Sequence, residues 1–348
     1  MNALRSSPLL FAACVLALAL LPVLWPDPYM LSVVASAGIF IIAAISLNLL
    51  LGFTGQLSLG HVAFFGIGAY TSALLSLGFD LELPGLAQAL VVTPKPVWVA
   101  FGGGIFVAGL FGWLIGKLAF RVRGAYFVIV TISFAQVMRM VAINWVDLTE
   151  GPMALNNIPP LTLWLPGAGT IDLVSKSSAY WLVLAVAVVS YLLVAALVHS
   201  RVGRAMVALR ENETLARSIG VTVTDYLRIA AIGAAAIGGA AGGLYAHTVR
   251  IIDPDVFMFM FTITMVIMVI VGGKGTLAGP VVGGLLFGLV PELLRGRLTP
   301  EVQWMLYGVL MIVILVFMPR GIVPALTRRR KARPAVVQPV ARMAGDTR

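Results

Sequence analysis

The sequence predicts an all-α polytopic membrane protein of about ten transmembrane helices, with both termini on the cytoplasmic side. Three observations predict it. Of 348 residues, 60% are apolar and only 11% are charged, under half of the ~25% charge usual in soluble domains. Apolar runs recur from one end to the other, each suited to a hydrocarbon core of ~30 Å. When these runs are threaded alternately through a membrane, eighteen of the 24 Lys and Arg fall on one side.

The runs cover 8–25, 31–51, 61–78, 97–116, 125–146, 178–198, 226–248, 256–271, 276–294 and 302–318. With the N-terminus inside, the inner segments hold Arg5, Lys117, Arg121, Arg123, the five arginines from Arg201 to Arg228, Lys274 and a basic tail. The outer loops collect Asp27, Asp80, Asp147, Asp253 and Asp255. This is the positive-inside distribution. The first run ends at Pro22-Val-Leu-Trp-Pro26 with no small-x-small cleavage site just beyond it, so it reads as an uncleaved span. Three regions follow: 1–30 as the first span, 31–320 as the membrane domain, and 321–348 as a disordered tail that can touch anionic lipid. The net charge of +10 invites a nucleic-acid reading, but Arg320 to Arg348 alone contain eight Lys and Arg. The charge is a topology signal, and no nucleic acid is expected.

Two features break the pattern of plain spans. The run 125–146 carries Thr131, Ser133, Gln136 and Arg139. The runs 256–271 and 276–294 are short and divided only by a glycine-rich turn, as in the broken helices that line transport pathways. That turn, Gly272-x-x-Gly275-x-Leu277, repeats the spacing of Gly52-x-x-Gly55-x-Leu57, which suggests an inverted repeat.

The stretch Gly52 to Tyr70, GFTGQLSLGHVAFFGIGAY, is polar and glycine-rich where lipid-facing sequence would be plain. We read it as an inner turn and pathway wall. The pathway candidates are Gly55, Gln56, Ser58, Gly60 and His61, joined by Tyr126, Thr131, Gln136 and Arg139 from the fifth run. The rival reading is a tight glycine-packed helix interface without substrate contact. Arg139 has two readings of its own, a snorkelling side chain or a gate residue paired across helices.

Catalytic chemistry finds no support. There is no GxxxxGK[ST] loop, since Gly275 follows Lys274. The three histidines lack metal-ligand spacing, and the one cysteine, Cys14, sits in an apolar run. No cofactor or metal is expected on this chain. No acid lies clearly mid-membrane, where proton-coupled carriers place one, so a stand-alone secondary carrier or channel is the second reading. Between the sixth and seventh runs, residues 199–229 form a charged cytoplasmic segment. One helix is expected over Ala205–Ile219, closed by Gly220, as either a docking element or a solvated connector.

The motifs together resemble a known family. Asn48 to Tyr70, the segment RVRGAYFVIVT (Arg121 to Thr131), LTEGPM (Leu148 to Met153), GRAMVALRENETLARSIG (Gly203 to Gly220) and VGGKGTLAGP (Val271 to Pro280) are similar, in order, to branched-chain amino acid ABC-transporter permeases of the LivM type. The family often shows T-G-G-P-x-G where this chain has Glu150 and Ala154, and the Asn156-Asn157 pair that follows is also a departure. The resemblance implies a permease subunit in a bacterial inner membrane, importing branched-chain or other small amino acids, amides or urea. It implies a second homologous permease, two cytoplasmic ATPases that hold ATP and Mg, and a periplasmic binding protein as partners. It also implies that the loop 199–225 couples to the ATPases through Arg204, Arg210, Glu211, Asn212, Glu213, Ala216 and Gly220.

Overall fold

The computed structural model describes residues 15–22, 27–81, 90–165, 169–172, 175–294 and 300–328. Both ends of the first apolar run, with Arg5 and Cys14, lie outside these residues, as do Arg295, Arg297 and the tail beyond 328. Residues 15–22 are helical (α1). Then come α2 Pro28–Asn48, α3 Val62–Leu77, α4 Val97–Ala119, α5 Ala125–Asn144, α6 Val146–Thr149 and α7 Lys176–His199. After these run α8 Arg201–Glu211, α9 Glu213–Ser218, α10 Val223–Val249, α11 Phe259–Gly272, α12 Gly279–Leu294, α13 Pro300–Phe317 and α14 Ile322–Arg328. Each apolar run from 31 onward coincides with a helix. Among the described residues, five stretches, Pro28–Thr54, Val97–Ala119, Ala125–Asn144, Lys176–His199 and Val223–Val249, are long and apolar enough to cross a membrane, and three shorter apolar helices accompany them.

Local chemistry sets the helix ends. The Asp27 carboxylate accepts the Tyr29 amide at 3.0 Å, and Pro28 occupies the first turn of α2, where its missing N–H costs nothing. Ser175 opens α7 in the same way, accepting from the Ser178 amide at 3.2 Å.

Glycine governs the packing of the centre. Gly68 of α3, Gly104 of α4 and Gly239 of α10 meet at one crossing. A Cβ on Gly68 would strike the Gly239 backbone, and one on Gly104 would lie 2.6 Å from the Gly68 carbonyl oxygen. Backbones approach this closely only where side chains are absent, as in small-residue crossings of membrane helices. Gly242 extends the same seam along α10, against the Phe65 carbonyl. α2 lies beside this core and also packs on α7, α11 and α12. Phe40, Phe65, Tyr245 and Phe261 fill the space between α2, α3, α10 and α11 with ring centroids 5.5–6.4 Å apart, close to the range at which aromatic pairs attract.

The outside is greasy. Phe106 and Leu118 of α4, Leu193 of α7, and Met305, Ile312 and Val316 of α13 are exposed. An apolar mantle of this size is the surface of a protein dissolved in lipid.

Two two-stranded antiparallel hairpins, Phe79–Leu81 with Leu90–Val92 and Thr162–Leu165 with Gly169–Asp172, had no counterpart in the apolar pattern. Both adjoin the acidic end, where Trp98 donates to the Thr162 carbonyl. The segment 199–229 also differs from expectation. Instead of one helix over Ala205–Ile219 it forms a pair, α8 and α9, broken at Asn212. There the backbone is extended (φ −158°, ψ 102°), and the side-chain oxygen accepts the Leu215 amide at 3.0 Å. Asparagine caps a new helix better than it continues an old one.

Candidate functional site

The basic end gathers three segments that are remote in sequence. α2 does not stop at Asn48 but continues as a π-helical segment, Leu49–Thr54, closed by Gly55 in a left-handed conformation (φ 76°). π turns are rare and concentrate at functional positions. This one is enclosed in the protein, with Leu49, Leu50, Gly52, Phe53 and Thr54 all buried. Facing it is the turn between α11 and α12. The buried Asn48 amide spans the two, donating to the Thr276 carbonyl at 2.9 Å and accepting the Gly275 amide at 3.0 Å. A Cβ on Gly275 would lie 2.8 Å from the Gly52 carbonyl oxygen, so the two glycine turns that share a spacing are pressed backbone to backbone. Thr276 then holds the start of α12 by accepting the Gly279 amide at 3.0 Å.

The third segment is the α8–α9 pair. Arg210 reaches out of it to donate to the Gly52 carbonyl at 2.8 Å, and its stem lies over Gly55. The remainder of its guanidinium engages the Glu211 carboxylate at 2.5 and 3.2 Å. Glu213 ties α9 to the α4–α5 turn through Arg123 at 3.1 Å and to Arg217 at 3.3 Å. Met206, Leu209 and Ala216 are buried against the bundle, whereas Leu215 and Ile219 are 61% and 72% exposed. Gly220 takes the left-handed conformation expected of it (φ 88°). Arg204 turns back to the His199 carbonyl at 3.4 Å.

Between the two ends, the pathway candidates separate into two groups. Ser58, Gly60, His61 and Thr131 are packed within this chain. The Thr131 hydroxyl accepts the Leu59 amide at 3.3 Å, and Gly60 presses on the Thr131 carbonyl. The fully buried His61 lies 2.6 Å from the Ser46 hydroxyl, whose proton is directed to the Ala43 carbonyl at 2.7 Å. Nε2 of His61 is therefore the protonated nitrogen, and Nδ1 is left without a partner. The Val62 amide, which opens α3, is satisfied by the Thr262 hydroxyl at 3.2 Å. Gly55 is exposed and Gln56 half-buried at the basic end.

The second group, Tyr126, Gln136 and Arg139, lies on α5. That helix is the least buried of the five spanning stretches. Tyr126, Ser133 and Gln136 are exposed along it. Arg139 is not mid-span. It pairs at 2.9 Å with Asp255, in the 3₁₀ turn Pro254–Phe257 that leads into α11. Its Nε is buried without a partner.

The acidic end is braced by a second histidine. His247 donates from Nδ1 to the Pro159 carbonyl at 2.7 Å, so Nε2 accepts from the Ser72 hydroxyl at 2.8 Å. Nearby, Glu150 (φ 56°), Ala154 (φ 65°) and Asn157 (φ 58°) all adopt left-handed backbone. Glu150 and Ala154 are the positions where the resemblance would place glycine. The chain keeps the turn there at the steric expense of a Cβ.

Asn48, Ser46, Thr262, His247 and Asp255 escaped sequence reasoning as site residues. For Asn48 a signal existed, an amide set inside the run LNLLL. A polar side chain at that depth needs a specific partner. Nothing in the sequence pairs Asp255 with Arg139.

A helical bundle with a lipid-facing mantle, an exposed helix face that carries Ser133 and Gln136 among apolar side chains, and a basic-end hairpin locked to broken helices defines a multi-pass membrane permease. Residues 29–315 match the family described as branched-chain amino acid transport system, permease component, and the chain belongs to it. It is 30% identical over 338 residues to the high-affinity branched-chain amino acid transport system permease protein LivM of Salmonella typhimurium, covering 89% of this chain and 74% of that one. Against LivM of Escherichia coli the identity is 29% over 331 residues, with 88% and 74% covered. LivH of Salmonella typhimurium is 27% identical over 294 residues, with 81% and 90% covered. No solved structure matches.

Proposed function

We propose that the chain is one of two permease subunits of an ABC importer in a bacterial inner membrane, moving branched-chain or other small amino acids, amides or urea. Its ten spans leave both termini in the cytoplasm, and the paired glycine turns are the two halves of an inverted repeat. It is not itself an enzyme. Two ATPases beneath it hold ATP and Mg, and a periplasmic binding protein delivers the substrate to the acidic end.

The observation that carries this reading is the α8–α9 hairpin. It is fastened to the bundle by Arg210 and by the Arg123–Glu213 pair, yet it presents Leu215 and Ile219 outward, one helical turn apart. Apolar side chains exposed on a charged, basic-end hairpin are anchors for a partner. The open face of α5 carries the second half of the proposal. Ser133 and Gln136 are exposed at a depth where lipid would leave their polar groups unpaired. That face belongs to the pathway and to the second permease, and Tyr126, Gln136 and Arg139 line it. Ser58, Gly60, His61 and Thr131 form the packed wall behind.

The test is a mild-detergent purification of the tagged chain from its native membrane, with partners identified by mass spectrometry. A second permease and P-loop ATPases are expected. Recovery of this chain alone, under conditions that keep another ABC complex intact, would overturn the importer reading in favour of a stand-alone carrier. A second expectation concerns the acidic end. Arg139→Leu should reduce uptake about tenfold, the effect of ~1.4 kcal/mol on a rate-limiting barrier, with little change in membrane yield. An exposed ion pair is worth only ~0–1 kcal/mol. Wild-type uptake in that variant would mark Arg139 as a snorkelling side chain.

A further inference from the structure

The polar contacts at the basic end form a continuous line from the hairpin to the membrane helices. Arg210 holds the Gly52 carbonyl, Gly52 lies in the π segment, and Asn48 at the start of that segment holds both Gly275 and Thr276 of the α11–α12 turn. The last carbonyls of a helix have no amide of their own helix to accept, so the Arg210 guanidinium is a natural partner there, and a charge-assisted one. The Arg210 side chain thus leans back over Gly52 and Gly55, with 32% of it accessible. The apolar part of the hairpin's outward surface is Leu215 and Ile219, beside the exposed Glu211, Asn212 and Arg217.

From this geometry we propose that Arg210 and Asn48 form a mechanical joint. Movement of α8, imposed by a partner on the hairpin, is passed through Arg210 to the π segment, and through Asn48 to the turn that starts α12. The proposal rests on the importer reading above and deepens it, because it assigns Arg210 to transmission and not to docking. The joint assigns the switching to the π segment. A π turn holds one more residue than an α turn, and rewinding it would move Gly52–Gly55 by about one residue, ~1.5 Å along the α2 axis. Packed cores respond to such a shift by switching, not by gradual deformation. Because α2 contacts α7, α10, α11 and α12, a shift at its end reaches both the bundle core and the broken-helix turn.

The test uses the complete importer with its binding protein in proteoliposomes, and reads leucine moved per ATP hydrolysed alongside ATPase co-purification. Arg210→Gln and Asn48→Asp are each expected to keep the ATPases bound and to lower that ratio about tenfold, within the ~5–150-fold range of coupling effects. Arg210→Lys, which still reaches a carbonyl, is expected to recover part of it. A merely structural contact would lower uptake and hydrolysis together and leave the ratio unchanged, and that result would overturn the joint. Loss of the ATPases in Arg210→Gln would overturn it too, by placing Arg210 in the docking surface. If both variants fail to reach the membrane while Arg210→Lys succeeds, the contacts are folding staples and the proposal fails. Wild-type complex without ATP-driven uptake of leucine, or of any other small amino acid, amide or urea tried in its place, would instead overturn the importer reading and the joint with it.

Discussion

Gly68→Leu is expected to abolish the folded protein, with almost none recovered as a monodisperse species from membranes. The Cβ alone would strike the carbonyl oxygen, Cα and carbonyl carbon of Gly239, none of which can rotate away. Overpacking a core that can adjust costs ~1–3 kcal/mol. Here the obstacle is the backbone of α10, so α3 and α10 must separate, and Gly104 of α4 is held in the same crossing. Gly102→Leu is the control. It lies two residues before Gly104, on the exposed side of α4 with nothing within 4 Å of its added Cβ, and helix propensity favours leucine over glycine there. Fluorescence-detected size exclusion of both variants decides the matter. Equal recovery would show that the crossing is not the constraint on the core that its geometry describes.

The double variant Glu211→Arg, Glu213→Arg is expected to leave the protein folded and in the membrane while uptake falls about a hundredfold, at the strong end of known coupling energies. Each acid sits in an exposed or half-exposed ion pair, Glu211 with Arg210 and Glu213 with Arg123 and Arg217. Such pairs contribute ~0.2–1 kcal/mol each, too little to unfold a hairpin whose Met206, Leu209 and Ala216 are buried. Reversal would, however, crowd a further cation beside Arg123 and Arg217, and would release Arg210 from Glu211. The hairpin would be displaced from the position in which it offers Leu215 and Ile219. Uptake and binding-protein-stimulated ATP hydrolysis in reconstituted vesicles are the readouts. Normal transport would sink the assignment of residues 199–225 as the coupling element.

The helices were legible because membrane helices are written in composition. A run such as 178–198 needs only apolar side chains to be stable in lipid, and α7 occupies it with little displacement at either end. The glycine turns were legible as special, since polar, glycine-rich sequence in such a place is costly unless used. Their partners were not. The reading of the pathway residues as one group did not anticipate that Ser58, Gly60 and His61 would be packed inside while Gln136 and Arg139 lie on an open face. Helical spacing says which residues share a side of a helix, not what stands opposite.

The hairpin taught the same lesson on a smaller scale. Asn212 looked like one residue within a single helix; its own side chain caps the break, and Arg210 on α8 and Arg123 against α9 hold the two pieces in place.

What the sequence determined by itself was the solvent, the helices and the distribution of charge between the two ends. Each is a local property, paid for residue by residue against lipid or water. What only the tertiary structure decided was the set of contacts between distant segments: Asn48 with Gly275 and Thr276, Arg210 with Gly52, Arg139 with Asp255, and Gly68 with Gly239. These depend on which helix faces come to oppose each other. In a bundle where almost every face is apolar, that choice is made by close packing and by the few polar groups that must find partners.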